Sequence, residues 1–459
     1  VTIPDWPSAL RINAYTGEPV APSAPAADAD DWTLRKGPPR LRTFLRPAKP
    51  ADPADWRDPR VGWGLVLPQG KDLADIEVLR ALVADRGVNG APAPVFQYMP
   101  GPARAGFLHR DGFDIPIAMA PRGTEPGAIP RYLLLYGTPE EIPWEVQYEL
   151  NAVCAVGRLT LEGAALENYV GALRSGWKDG TAKPDAVVIW SVDHGPDDIT
   201  NLMRLSIADP IFKKVTGDAQ LAPNSQYLDG GIRGNATLEK LQIALSERRP
   251  GLIVTTSHGQ TGPLDDVNVM RANLGLPVDE DFRLLQPASL LDAWTPSGAI
   301  WYAHACCSAG SDAHTLFDGL VEKDSPVDRV LKGVAAVGAR VAPLPEALLG
   351  HAAPLRAFIG HVEPTFDWTL RHRLVGQFMT APIEEALYDN LFQPEPLGLA
   401  FRVFYERLGG VYAEYDQELR RFNKGENNES RLLYHLLLAR DIQSMVLLGD
   451  PTAVLPALP

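Results

Sequence analysis

Cysteine is scarce in this chain, with three residues, Cys154, Cys306 and Cys307, among 459. Two of the three are neighbours, and adjacent cysteines rarely pair. No disulfide framework can be built from them, and a reduced compartment fits best. Long apolar runs are also missing, since none approaches the roughly 20 residues needed to cross a bilayer. Positive charge is in the minority, with 43 Lys and Arg against 57 Asp and Glu and a net charge of −14. That balance argues against a nucleic-acid partner, because neutralising phosphates needs a clustered excess of Lys and Arg. The opening stretch "VTIPDWPSALRINAYTG" lacks both a basic start and an apolar core, so nothing in it resembles a secretory signal. An already processed chain would look the same. The expectation is a cytoplasmic protein with no membrane partner.

What is present reads as globular and loop-rich: 45% hydrophobic and 22% charged residues, with 40 Gly and 42 Pro. The length exceeds one ordinary domain of about 100–200 residues. Residues 1–60 are rich in Pro, Ala and Asp ("GEPVAPSAPAADADDW") without a period of 2 or 3.6, which predicts an extended arm or irregular unit packed through its tryptophans. From about residue 61 short apolar runs alternate with amphipathic ones. "VGWGLVLP" and "PRYLLLYG" read as strands and "DLADIEVLRALVADRG" as a helix, giving a first α/β subdomain over 61–180. A more regular series follows over 181–459: strand "AVVIWSV", helix "DITNLMRLSIADPIFKKV", strand "SQYLDG", helix "ATLEKLQIALSERR", strand "LIVTTSHG", a long loop, and strand "GAIWYAHAC". Continuous apolar strands with helices between them predict a mostly parallel sheet flanked by helices on both faces. The C-terminal run "RLLYHLLLARDIQSMVLL" reads as a buried helix.

In open α/β sheets the ligand crevice lies beyond the carboxyl ends of the strands. His258 closes one strand, in "GLIVTTSHGQTGP", and Cys306 closes what is expected to be its neighbour, 48 positions on. Adjacent strands lie about 4.8 Å apart, so the two side chains could share that crevice. A thiol is a strong nucleophile only as thiolate, and an imidazole can take its proton. Gly259 would let a substrate backbone approach and, with the Cys306 N–H, could donate to a developing oxyanion. A Cys in an apolar strand is more often core, and a lone His after a strand is usually just satisfied. Their joint placement at two strand ends, with a nucleophile about 50 residues after its histidine, favours chemistry.

"TTSHGQ" followed by "IWYAHACCSAGS" resembles the His-Gly and Ala-Cys signatures of the caspase-like cysteine peptidases, which include caspases, metacaspases, gingipains and bacterial CHAT-domain proteases. "YLLLYGTPEEIPWEVQYELNAVCAVGRL", "DDITNLMRLS", "GNATLEKL", "AFIGHVEPTFDW" and "MVLLGDPTAVL" also resemble the bacterial gingipain and CHAT-related members, so the likeness runs from about residue 130 to the C-terminus. The resemblance implies a caspase–hemoglobinase-like fold and a cysteine endopeptidase acting through a thioester acyl-enzyme. It makes His258 the base and acid, Cys306 the nucleophile and Gly259 the oxyanion donor. It favours Cys306 over Cys307, because the family pattern puts one variable residue after the nucleophile. Many bacterial relatives cleave after Lys or Arg, and the loop "SVDHGPDD" places Asp193, Asp197 and Asp198 on the same rim. Asp197 is the chosen substrate-binding residue, with Asp312 a comparable candidate, although Asp197 and Asp198 also read as a helix cap and first-turn acid. His361 is expected near the site without a catalytic role, and His435 as a core or boundary residue.

The cluster "HACCSAGSDAH" holds His304, Cys306, Cys307 and His314, zinc-ligand types whose spacing matches no finger or ribbon. Paired aspartates in "GPLDDVN" read as solvated acids rather than the calcium site some relatives carry. No metal or cofactor is expected. The expected partners are a protein or peptide substrate and an activating partner protein. The competing expectation is a catalytically silent caspase-like scaffold or sensor in a larger assembly.

Overall fold

The computed structural model describes residues 50–101, 106–117, 120–372 and 375–459. Most of the expected 1–60 arm therefore lies outside the described residues. Within its end, Trp56 is buried and carries the Arg86 guanidinium 4.3 Å above its ring. The strands in chain order are β1 (Trp63–Leu67), β2 (Val95–Met99), β3 (Phe107–Arg110), β4 (Phe113–Ile115), β5 (Tyr132–Tyr136), β6 (Ala155–Leu159) and β7 (Lys183–Ser191). Then come β8 (Gln226–Asp229), β9 (Pro250–Thr256), β10 (Ile300–His304), β11 (Gly310–Ser311), β12 (Arg340–Val341), β13 (Ala357–His361) and β14 (Met445–Gly449). Twelve of them form one sheet in the order β4-β3-β2-β1-β5-β6-β14-β13-β10-β9-β7-β8. Strands β1, β5, β9, β10, β13 and β14 are buried at every position, as a sheet covered by helices on both faces requires.

The sheet is mixed but mostly parallel, and it has two directions. Strands β2, β1, β5, β6 and β14 run one way, and β13, β10, β9, β7 and β8 run the other. The reversal falls between β13 and β14, which pair antiparallel from Ala357↔Gly449 to His361↔Met445. The carboxyl ends of the two blocks therefore face opposite edges. Residues 51–459 form one compact unit, and strands from both 61–180 and 181–459 share this one sheet, while β11 and β12 pair separately. Among the described residues no helix is long and apolar enough to cross a membrane.

Two departures from the sequence reading have simple causes. The C-terminal run is a helix only over Glu429–Gln443; Met445–Gly449 is a strand. Short apolar runs carry no usable period, and here burial on both faces inside the sheet decides for strand. The long loop after His258 holds two helices, Val267–Asn273 and Pro287–Ala293. The first is capped by Asp266, whose carboxylate accepts the Asn268 and Val269 N–H groups, so at least one of the paired aspartates is a cap.

Candidate active site

The ladder between β9 and β10 runs from Ile300↔Leu252 to His304↔Thr256, and the same offset carried two residues further sets Cys306 opposite His258. The backbones do meet there. A Cβ on Gly259 would sit 1.9 Å from the Cys306 carbonyl oxygen, so only glycine fits beside that residue. Gly275 plays the same part on the other side, with φ +68 and a Cβ position 2.0 Å from the Cys307 oxygen. The loop after β10 is also laced to the chain after β13: Ala309 donates to the His361 oxygen at 2.8 Å and Cys307 to the Glu363 oxygen at 3.0 Å. Neither the Gly259 nor the Cys306 N–H has a backbone acceptor among the described residues.

His258 is held from the β7 side. Its Nε2 lies 3.0 Å from Asp198 Oδ2, and both side chains are about one-third exposed (35% and 31%). Asp198 is the N-cap of the helix Ile199–Met203. Its Oδ1 accepts the Thr200 N–H at 2.8 Å and the Thr200 hydroxyl at 2.5 Å. Burial pushes this carboxyl up, but the Thr200 bonds and His258 outweigh it and hold the net value below the ordinary 3.8. An ionised Asp198 accepting from Nε2–H leaves Nδ1 as the basic nitrogen. The His194 ring stacks on His258 with centroids 5.4 Å apart, and Phe282, 69% exposed, stacks on His194 at 4.3 Å.

Cys306 is held from the β13 side. Its sulfur accepts the Thr365 N–H at 3.4 Å and lies 3.7 Å from the Thr365 oxygen. No hydrogen bond joins it to His258. Burial pushes the thiol up to about 11, against the opposing effect of the Thr365 N–H. Behind this loop, buried Asp441 accepts from the Phe366 N–H at 3.4 Å and the Thr369 hydroxyl at 2.8 Å, and burial pushes it up to about 7. Cys307 is fully buried among Met270, Leu274, Val334 and Val337. The strand stops at His304, and a left-handed Cys307 (φ 54) turns the chain and sends its side chain into the core.

No family model matches the chain, and no curated protein matches it. Among solved structures it is similar to a chain of the Saccharomyces cerevisiae separase–securin complex, with a TM-score of 0.37 and 12% identity. That likeness covers 69% of this chain but only 15% of the other, so the chain spans less than a sixth of that neighbour's length. At this level it bears on neither chemistry nor partners.

The remaining sequence candidates fall at different places. Asp197 is exposed on the rim, and among the described residues no hydrogen bond or ion pair engages its side chain. Asp193 is consumed by Gly195, Asn201 and Arg204, each at 2.8–2.9 Å. Asp312 is buried (8% exposed) and accepts from the Ala313 N–H, and its other oxygen has no partner. Burial and the nearby Glu145 raise its pKa, and no hydrogen bond links it to His258 or Cys306. His304 and His361 are buried against each other at 4.7 Å between ring centroids, with burial pushing His304 down to about 3. His435 lies beside Glu414 at 3.4 Å. The cluster His304, Cys306, Cys307 and His314 does not converge on one point. Among the described residues, the ligand-type atoms that do converge belong to His194, Asp198 and His258.

Two residues of this site escaped sequence reading. Asp198 was legible as a cap, and the signal for its second task was an Asp-x-Thr turn in the loop after β7, seven residues past its last residue Ser191. His194 carried no signal of its own, since only the adjacency of β7 and β9 brings it to His258.

Proposed function

We propose that the protein is a caspase-like cysteine endopeptidase in which Cys306 is the nucleophile, His258 the base and acid, and Gly259 an oxyanion donor. Asp198 positions His258. The observation that carries this reading is the meeting of the Gly259 and Cys306 backbones at the carboxyl ends of neighbouring parallel strands, with His258 held by a carboxylate.

The resting sulfur bonds Thr365 and not His258, so it meets the imidazole only during attack, and proton transfer accompanies that step. Cys306 turns about χ1 from Thr365 toward His258 and its sulfur bonds to the substrate carbonyl carbon. Nδ1 takes the thiol proton. The oxyanion is met by the Gly259 and Cys306 N–H groups, free of other backbone acceptors. Nδ1–H then protonates the departing amine, and water deprotonated by His258 releases the thioester. Exposed Asp197 pairs a basic side chain before the cleaved bond. Asp312, enclosed and near Glu145, serves that pocket only if its loop opens.

A second reading, a silent caspase-like scaffold, is favoured by one observation: the sulfur bonds Thr365 rather than His258. An activating protein partner that displaces Thr365 would reconcile the two. Fluorogenic peptides with Arg, Lys or Asp before the scissile bond separate them. The endopeptidase reading expects turnover of the Arg or Lys peptides that Cys306→Ala abolishes and Cys307→Ala retains. Absence of turnover by wild type, alone and with cellular extract, would establish the scaffold.

A further inference from the structure

His194, Asp198 and His258 each present a ligand-type atom, and these atoms all lie within 4.8 Å of one another. The surroundings of two of them are already those of metal ligands. His194 Nε2 lies 3.2 Å from the Asp279 carbonyl oxygen, which can only accept, so Nε2 carries the proton and Nδ1 bears the lone pair. That Nδ1 is buried and has no hydrogen-bond partner among the described residues. A ligating histidine commonly donates its other N–H to a backbone carbonyl, which fixes its tautomer. The Asp279 carbonyl is itself held in a rigid turn, because the fully buried Asp279 side chain accepts from the Asp281, Arg283 and Leu238 N–H groups. Asp198 is similarly prepared, with Oδ1 spent on Thr200 and Oδ2 directed at His258.

We propose that His194, Asp198 and His258 form a binding site for a zinc-class transition-metal ion, and that the bound ion takes His258 out of service as a base. Two imidazoles and one carboxylate suit zinc or cobalt, whereas calcium and magnesium take all-oxygen sets. Bonds of about 2.0–2.1 Å at tetrahedral angles need ligand atoms about 3.3 Å apart. The Asp198–His258 pair already stands at 3.0 Å, so the set closes by at most about 1.5 Å. The two rings are nearly parallel, 12° between planes, so one must turn about χ2 for both lone pairs to converge. His258 is the ring that turns, because Asp279 and the stacked Phe282 hold His194.

The proton balance gives the consequence. Neutral imidazole has one lone pair in its plane. If the metal takes it at Nε2, the proton moves to Nδ1, and Nδ1 can no longer accept a proton from Cys306. This regulatory half rests on the endopeptidase reading, but metal binding does not.

The test is therefore read first without turnover. Metal-stripped protein in reducing buffer is titrated with Zn²⁺ against a chromophoric chelator of micromolar affinity, and with Co²⁺ by visible absorption, with Mg²⁺ and Ca²⁺ as controls. The expected result is one equivalent of Zn²⁺, weakened about 10–100-fold by His194→Gln and by Asp198→Asn, and unchanged in Cys306→Ala. Thermal unfolding checks that each variant is folded. Equal affinity in wild type and both ligand variants, or loss of binding only in Cys306→Ala, overturns the site. If peptides are cleaved, Zn²⁺ inhibits wild type, chelator restores it, and inhibition persisting unchanged in His194→Gln overturns the regulatory half alone.

Discussion

Two aspartates at opposite edges of the sheet have nearly the same local geometry and opposite fates. Asp450 follows β14 at the carboxyl end of one block, and Asp198 follows β7 at the carboxyl end of the other. Each stands two residues before a threonine and accepts that threonine's N–H at 2.8 Å and its hydroxyl on Oδ1. Each uses Oδ2 for a ring nitrogen: Trp63 Nε1 at 2.9 Å for Asp450, and His258 Nε2 at 3.0 Å for Asp198. Asp450 is fully buried, and its N–H donates to the Tyr169 hydroxyl, which in turn donates to the Arg356 oxygen. An indole nitrogen can only donate, whereas an imidazole nitrogen donates or accepts according to its tautomer. The same turn therefore meets a fixed donor in one block and a ring of either tautomer in the other.

Asparagine substitution breaks this likeness most sharply. The amide of Asp198→Asn faces His258, and the imidazole can meet it by moving its proton to Nδ1. The expected outcome is a loss of about 10²–10⁴ in kcat/KM for the cleaved peptide, at a stability cost of no more than about 1 kcal/mol, because asparagine still caps the helix. Nitrogen-15 shifts of His258 would report the changed tautomer. At Asp450 the indole has no second tautomer. Asp450→Asn sets two donors against each other in the core and is expected to cost about 3 kcal/mol by urea denaturation.

Gly259→Ala tests the seam that joins β9 to β10. Its Cβ would meet backbone rather than a yielding side chain, so a loss of about 1–3 kcal/mol together with loss of turnover is expected, measured by denaturation and peptide cleavage. The last comparison concerns pH. Asp441 has its folded pKa raised to about 7 from the ordinary 3.8, so the folded state binds more protons than the unfolded state between those values. Its contribution to stability therefore falls as pH rises from about 4 to about 7, and Asp441→Asn should flatten the wild-type decline over that window. Asp198 has the opposite sign. Its folded pKa is depressed, so its contribution is present above 3.8 and is lost as pH falls below that value.

Much of the half that holds His258 and Cys306 was legible because its strands announce themselves. The runs ending in His258 and Cys306 are apolar, bounded by small residues, and adjacent in the sheet as they are in sequence order. The caspase-like motifs add roles that the comparisons leave open, and these stand as proposals. The site's outer members were harder to read. Asp197 and Asp198 are neighbours of the same type, and only the cap geometry decides which of them faces His258. The sheet's reversal at β14 was not legible, because an apolar strand carries no mark of its direction. The "GDPT" stretch served as a family mark, and its physical task became clear only once Trp63 was found on Asp450.

By itself the sequence determined which segments must be buried, where the strands end, and hence that an imidazole, a thiol and a glycine stand at strand ends. Those facts follow from local apolar pattern and covalent order. Only the tertiary structure decided that Thr365 holds the sulfur, that Asp198 and His194 flank the imidazole, and that Cys307 belongs to the core. Those contacts join segments between 59 and 64 residues apart or turn on one left-handed residue, and side-chain direction at such places is set by packing rather than by local pattern.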